Sequence, residues 1–468
     1  MDETLEKTDR KLRLPTSWAQ PRFRDVFDIL STTGKRVKQR EYQSFGALPV
    51  IDQGEDFIGG YTNNLDSAIE VEKPVIVFGD HTRIFKFVRD NFAPGADGIK
   101  VFRTSAALIP KYAYYACKNL RLPDRGYSRH FSILKKFKIP VAPRNEQHRI
   151  VEKIETLFAR IDKGEEALRQ VQKLLKRYRQ SILKAAVTGE LTRDWREANQ
   201  HQLEPASDLL ERILETRRKN WQGRGKYKEP VELDVTDLPE LPQGWVWISV
   251  DHLLREGLSN GRSVRSSHDG FPVLTLTALK NGHIDLTERK IGDWTRTEAA
   301  PYCIQEGDVL ASRGNGSKHL VGRGGLVREK PDSVAFPDTM IRIPLNLTCT
   351  NPEWFIHLWN STFIRGQIES CAKTTAGIYK INQSDIRSFE VPLPPLPEQR
   401  AISAKIDELV TQVTNLEAVC EKELARASSL RQSILKSAFT GQLVPQDPND
   451  EPASELLARI RAEREATP

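Results

Sequence analysis

Between Glu146 and Thr188 apolar residues recur at alternating steps of four and three: Ile150, Ile154, Leu157, Ile161, Leu168, Val171, Leu175, Tyr178 and Ile182, interrupted only by Gly164. That spacing is a coiled-coil seam, two apolar positions per heptad on one helix face. The pattern returns 252 residues later through Ile402, Ile406, Leu409, Val413, Leu416, Cys420, Ala427, Leu430 and Ile434, with Glu423 as its one polar member. Identities accompany it: Glu146-Gln147 matches Glu398-Gln399, Lys153-Ile154 matches Lys405-Ile406, and Gln180-Ser181-Ile182-Leu183-Lys184 matches Gln432-Ser433-Ile434-Leu435-Lys436. Each copy predicts a helix of roughly 60 Å at about 1.5 Å per residue, a spacer rather than a packing element. Pro397 marks the start of the second, with Glu398 in a first turn whose dipole favours an acid. Gly189 and Gly441 mark the ends. Two such helices can bury their seams on each other.

The duplication extends beyond the helices. Leu14-Pro15-Thr16-Ser17-Trp18 and Leu241-Pro242-Gln243-Gly244-Trp245 are parallel tags that open the two halves. Behind the first tag, short β-type runs (Ala47 to Ile51, Val75 to Phe78, Ile84 to Val88) alternate with Gly/Asp turns and a helical stretch near Tyr112 to Asn119. Behind the second come Val273 to Leu276, Asp308 to Ala311, His319 to Val327, Met340 to Ile343, and a helix from Pro352 to about Ser370. Both regions read as compact α+β modules. Shorter helices, Pro205 to Lys219 and Pro452 to Arg464, follow the two spacers. The expected division is a tail at 1–13, a module at 14–145, helical spacer at 146–219, a Gly/Lys/Pro-containing linker at 220–240, a second module at 241–397 and a second spacer at 398–468.

Length allows about three domains. No run of 18 apolar residues and no charged-then-apolar leader is found, so neither a membrane span nor a secretory signal is expected. Five scattered cysteines without a CxxC pair argue for reduced thiols in a cytoplasmic protein and against structural zinc. The formal net charge of +7 permits a polyanionic partner. Its distribution is uneven: Leu14 to Arg144 holds 21 Lys/Arg against 13 Asp/Glu, Leu241 to Pro397 holds 17 against 16.

Catalytic chemistry is not found. Gly314-Asn315-Gly316-Ser317-Lys318 lacks the spacing of a phosphate-wrapping loop. Asn351-Pro352-Glu353-Trp354 carries Glu where an amino-methyltransferase box has proline, and no Gly-rich cofactor loop accompanies it. Asp80-His81 has no third group, Pro337-Asp338 begins no nuclease motif, and the nine histidines form no metal-ligand pair. The chain is read as non-catalytic, with neither cofactor nor metal.

Recognition chemistry fits better. In the first module the turn around His81 and Arg83 precedes Lys86, and Tyr127, Ser128 and Arg129 follow later. In the second, Arg313, Asn315, Ser317 and Lys318 precede Arg323, and Lys373, Tyr379 and Lys380 follow. Arg and Asn can pair in bidentate fashion with guanine and adenine edges, while Ser, Lys and backbone N–H groups hold phosphates. The same residues also suit ordinary polar turns between strands.

Taken together, the tags, the Pro394-Pro395-Leu396-Pro397-Glu398-Gln399-Arg400 helix start, and Gln-Ser-Ile-Leu-Lys followed by Thr-Gly-Glu/Gln-Leu in both helices resemble the DNA-specificity subunit of type I restriction-modification systems. One departure of the first copy is Arg144-Asn145 where the second has Leu396-Pro397. The resemblance implies an α+β fold of two target-recognition domains joined by two long antiparallel coiled-coil helices with pseudo-two-fold symmetry. It implies that each domain reads half of a split double-stranded DNA target, the half-sites lying about one DNA turn, roughly 34 Å, apart. It also implies two adenine-N6 methyltransferase subunits docked on the helices, joined by motor/nuclease subunits, with no membrane involved. The alternative from the residues alone is a coiled-coil assembly adaptor that reads no DNA, a reading the near-neutral second module favours. An enzyme in its own right is the third.

Overall fold

The computed structural model describes residues 14–466 apart from 96–97, 125, 127, 220–226, 228, 231–232, 237 and 376. The tail at 1–13 and most of the 220–240 linker lie outside the described residues. The chain forms two compact units, Met1–Arg169 with Cys420–Pro468, and Gln170–Val419. The division passes through both long helices, Arg144–Val187 and Leu396–Ala438, so each unit holds the opening part of one and the closing part of the other. Both helices begin at matching positions of the repeat, so the Arg144-Asn145 departure does not move the start.

Within each unit the two helix segments run antiparallel. In the first, Ile150 and Ile154 share a core with Ile434, Leu435 and Ala438, and Arg431 pairs with Asp162 and Glu165. In the second, Arg179 pairs with Glu417 at 3.2 Å. These ion pairs are copies of one another, since Arg179 and Arg431, and Glu165 and Glu417, occupy the same places in the repeat. They also correct the expected seam. Val171 (40 % exposed), Tyr178 (49 %), Leu416 (51 %) and Leu430 (48 %) lie outward, and the neighbouring residues Gln172, Arg179, Glu417 and Arg431 turn inward instead. Leu175, Ile182, Val413, Cys420 and Ile434 stay buried as expected. The expected seam holds over Ile150, Ile154, Leu157 and Ile161 and shifts by one residue at alternate positions farther along, as an α-helix of 3.6 residues per turn drifts off a strict 3.5-residue repeat.

The tags close each unit with the same tryptophan-to-glutamate bond. Trp18 donates its indole N–H to Glu146 at 2.9 Å, and Trp245 donates to Glu398 at 2.8 Å. Both carboxylates are buried, so the acids do more than complement a helix dipole. The neighbouring glutamines tie module to helix. Gln147 donates to the carbonyls of Ala107 and Ala142 and accepts from the Ile109 N–H; Gln399 does the same with Cys349, Pro394 and Asn351. At the far helix ends Gly189 and Gly441 adopt φ of +70° and +74°. A Cβ there would lie 2.5 Å from Pro242 and 2.4 Å from Pro15 respectively, so glycine is required both for the left-handed turn and for the close approach of the tag proline. The short helices Ala206–Lys219 and Ala453–Ala466 dock on the tags through Ala206 N–H to Gly244 and Ala453 N–H to Ser17, both 2.9 Å.

The modules built on this common frame differ. The first has an antiparallel four-stranded sheet ordered Phe27–Leu30, Ile99–Thr104, Val75–Gly79, Phe85–Val88, beside a three-stranded sheet of Gly60–Thr62, Leu48–Ile51 and Ala93–Pro94. Alternation along one strand builds two cores. Ile76 and Phe78 pack toward helix Pro110–Asn119 and the long-helix residues, while Val75 and Val77 pack against Ile51 and Phe92. The second module centres on a six-stranded mixed sheet whose middle strand, Asp308–Ser312, pairs with Gly324–Leu326 and Met340–Pro344. The single helix expected from Pro352 is two, Pro352–Trp359 and Thr362–Cys371, because Ser361 caps a new start by accepting from the Ile364 N–H. The strand expected from His319 to Val327 is only Gly324–Leu326, the earlier residues forming a turn.

Candidate nucleic-acid interface

In the first module the turn after Val75–Gly79 is fastened to two other loops. Thr82 donates to the Gln53 carbonyl at 2.7 Å, and the His81 N–H donates to the Gln53 side chain at 3.3 Å. Asp80, buried, accepts the Phe131 N–H at 2.7 Å, and its carbonyl accepts the His130 N–H at 2.9 Å. Arg83, held at φ +63°, pairs with Asp124 at 2.9 Å. The Gly126 N–H and then Arg83 hold the Asp124 carboxyl below its usual range. The turn carrying His81 and Arg83 is thereby joined to the loop carrying Ser128 and Arg129, both exposed. Tyr127 lies outside the described residues.

Lys86 departs from the expectation of a phosphate contact. It is 4 % exposed, donates to the Asp56 carbonyl and lies 3.6 Å from Asp52. Burial pushes its ammonium below the usual lysine value, with Asp52 opposing that shift. It alternates inward on Phe85–Val88 and fixes the 52–56 loop. Gln53, between Asp52 and Gly54 in a turn-forming run, is the positioning residue that sequence reasoning missed.

In the second module two segments some sixty residues apart in sequence form one small antiparallel sheet. Gly314–Asn315 pairs with Ile378–Lys380, which pairs with Lys373–Thr375; Asn315 faces Tyr379, and Lys373 faces Lys380. Arg313 is fixed at both backbone groups, its N–H donating to Thr339 and its carbonyl accepting from Ile381. Ser317 and Lys318 lie on the turn that follows, where the Ser317 N–H donates to the Asn315 side chain at 3.0 Å. Arg365 donates to the carbonyls of Val321 and Lys318 and holds that turn down. Arg323 leaves it exposed, its carbonyl accepting from Ser312. The Arg313, Lys318, Lys373 and Lys380 side chains are exposed, Asn315, Ser317 and Tyr379 partly so. A module nearly neutral in bulk thus brings Arg313, Lys318, Lys373 and Lys380 together on one sheet and its adjoining turn. Ile378, 44 % exposed beside the hairpin turn, was not expected here.

Among the described residues no group of three or more His, Cys, Asp or Glu is arranged to hold a metal, and no helix is long and apolar enough to cross a membrane.

A sequence profile described as the type I restriction modification DNA specificity domain matches this chain twice, over residues 15–172 and 265–426. The chain is 31 % identical over 338 residues to the type I restriction enzyme EcoKI specificity subunit of Escherichia coli K12, covering 70 % of this chain and 64 % of that protein. It is 30 % identical over 337 residues to the StySPI specificity subunit of Salmonella potsdam, with the same coverages. The match therefore spans less than two thirds of these relatives' length. Two solved structures share the fold. One, from work on complex assembly and conformational transition of the type I R-M system, gives a TM-score of 0.60 at 16 % identity and covers 92 % of this chain and 99 % of that one. The other, the HsdS subunit from Thermoanaerobacter tengcongensis, gives 0.51 at 18 %, covering 93 % and 100 %.

Proposed function

This chain belongs to the type I restriction modification DNA specificity family, and on that footing we propose that it reads a bipartite double-stranded DNA target, one half per module, for partner subunits that act on the DNA. The observation that carries the reading is a duplicated frame supporting two unlike modules, each of which gathers exposed cations and hydrogen-bonding side chains on a turn or small sheet. Modules 14–145 and 241–397 recognise; the spacers 146–219 and 398–468 fix their separation, with 220–240 as linker.

His81, Arg83, Tyr127, Ser128 and Arg129 contact DNA from the first module, with Lys86 positioning the loops behind them. Arg313, Asn315, Ser317, Lys318, Arg323, Lys373, Tyr379 and Lys380 contact it from the second. The chain itself is non-catalytic and works in the cytoplasm. Two adenine-N6 methyltransferase subunits dock on the helical frame, and motor/nuclease subunits join that core.

The test is to map N6-methyladenine across the genome of a host expressing the chain with its neighbouring methyltransferase, and again without the chain. The expected result is a split motif with a fixed gap that disappears with the chain. Replacing residues 19–144 by those of a relative should then change one half-motif and leave the other. Unchanged methylation, or a contiguous motif, would defeat the proposal.

A further inference from the structure

Lys373 and Lys380 stand directly opposite each other on adjacent antiparallel strands, and both are exposed. Like charges in that relation destabilise a strand pair, whereas an acid at either place would stabilise it. Among the described residues neither lysine has an ion-pair partner. On the other side of Lys380 the third strand presents Gly314, which has no side chain. Its backbone is not in the left-handed region, but a Cβ would lie 3.3 Å from the Lys380 Cγ, 3.4 Å from the Tyr379 carbonyl and 3.5 Å from Ile378, so any side chain here would crowd the stem of Lys380. The sheet thus carries an uncompensated pair of cations beside a cleared position, on a module whose bulk charge is close to neutral.

We infer that Lys373 and Lys380 grip the DNA backbone through its phosphates, with Gly314 leaving room for the strand, and that this face of the sheet positions the second module without reading sequence. The inference rests on the DNA-reading function above and assigns that face its ligand chemistry. Phosphate contacts fix register and orientation, and base edges carry sequence. Residues alternate across strands, so Asn315, Thr374 and Tyr379 share the opposite face of the sheet. Those hydrogen-bonding side chains therefore do not share the face that the backbone would cover. An anionic strand laid over the lysine pair removes the repulsion that the free protein tolerates.

The test measures binding of the full chain to two duplexes, one carrying the split motif found by methylation mapping and one with the second half-site scrambled, over a range of salt. For Lys373→Ala with Lys380→Ala, affinity for both duplexes should fall alike, by roughly tenfold, and the slope of log affinity against log salt should shrink by about two. The preference for the motif should stay as it was. Gly314→Leu should weaken both duplexes without changing that slope by as much. Lys380→Glu should weaken binding while leaving the unfolding midpoint of the protein no lower, because it creates a favourable cross-strand pair.

An unchanged salt slope in the double alanine variant would overturn the inference, as would loss of motif preference with the slope intact. Equal binding of both duplexes by the unaltered chain would instead defeat the reading on which the inference rests, a separate outcome.

Discussion

Glu146 and Glu398 occupy the same place in the repeat, are equally buried, and each accept an indole N–H, yet they are held by different chemistry. The second oxygen of Glu146 accepts from the Gln446 amide at 2.6 Å. That of Glu398 accepts from Thr192 at 2.7 Å and from the Arg196 guanidinium at 2.9 Å. Arg196 comes from a short helix, Arg193–Asn199, that the connector after Gly441 does not form, and its guanidinium also lies over Trp245. The cation of the first unit is Arg149, which pairs with Asp450 at 2.6 Å. Duplication preserved the geometry of the clasp and let its electrostatic balance diverge. The same glutamate is half of an ion pair in one unit and an acceptor for neutral donors in the other.

The largest separation between the units should come from removing the charge alone. Glu398→Gln leaves Arg196, 16 % exposed at its side chain, without a counterion and should destabilise the protein by about 3 kcal/mol. Glu146→Gln keeps an acceptor for Trp18, while the Gln446 amide can turn to accept, so the loss should stay below about 1 kcal/mol. Denaturant unfolding of the two variants, with hydrogen exchange reporting which unit opens, measures both. Equal losses would mean that the clasp works by shape and not by charge.

The helix-end glycines should respond more evenly. Ala at either position takes an unfavourable left-handed backbone and meets a tag proline, which together should cost about 2 kcal/mol. Gly189→Ala should be the worse of the two in thermal unfolding, because its Cβ also comes within 2.7 Å of Arg196 and pushes it off Glu398.

Within the first unit two carboxyls shift in opposite directions. Burial raises the Glu146 carboxyl above its ordinary value, against the hydrogen bonds from Trp18 and Gln446. A carboxyl raised on folding gives stability that is complete below its unfolded value, near 4.5, and is lost as pH rises through the folded value. Arg149, through its hydrogen bond, lowers Asp450, whose contribution is present above about 3.8 and lost as pH falls through the folded value. Exchange protection around residues 146–154 should therefore decline as pH rises from 4.5, and Glu146→Gln should remove that decline while leaving the acid-side loss due to Asp450. A decline that persists in the variant would assign the effect to another group.

What could be read from the sequence was what repeats or is local. The two helices were legible because 3.5-residue periodicity and glycine ends are written along a single stretch, and the tags because they repeat. The inward turn of Arg179 and Arg431 was not, since a polar residue next to an apolar one carries no sign of which faces the partner. Glu146-Gln147 and Glu398-Gln399 were visible as identities, but their burial depends on tryptophans 128 and 153 residues away. Nor does anything near Lys86 announce that Asp52 and the Asp56 carbonyl will enclose it. The sheet joining Gly314–Asn315 to Ile378–Lys380 is a long-range pairing, and only the clustering of Gly with Lys and Arg hinted at either strand.

The smallest expected difference lies in the cross-helix ion pairs, and it tests whether the frame is as symmetric as its repeat. Arg179 and Glu417 retain 40 % and 34 % of their side-chain exposure, against 24 % and 21 % for Arg431 and Glu165. Exposure screens a pair, and Asp162 gives Arg431 a second acid that has no counterpart beside Arg179, where Thr414 takes the place. Double-mutant cycles to alanine should give a coupling near 0.3 kcal/mol for Arg179 with Glu417 and about 1 kcal/mol for Arg431 with Glu165. Raising the salt concentration should erase the first before the second. Equal couplings would show that the solvent reaches both seams alike, and that the divergence between the units is confined to the clasp.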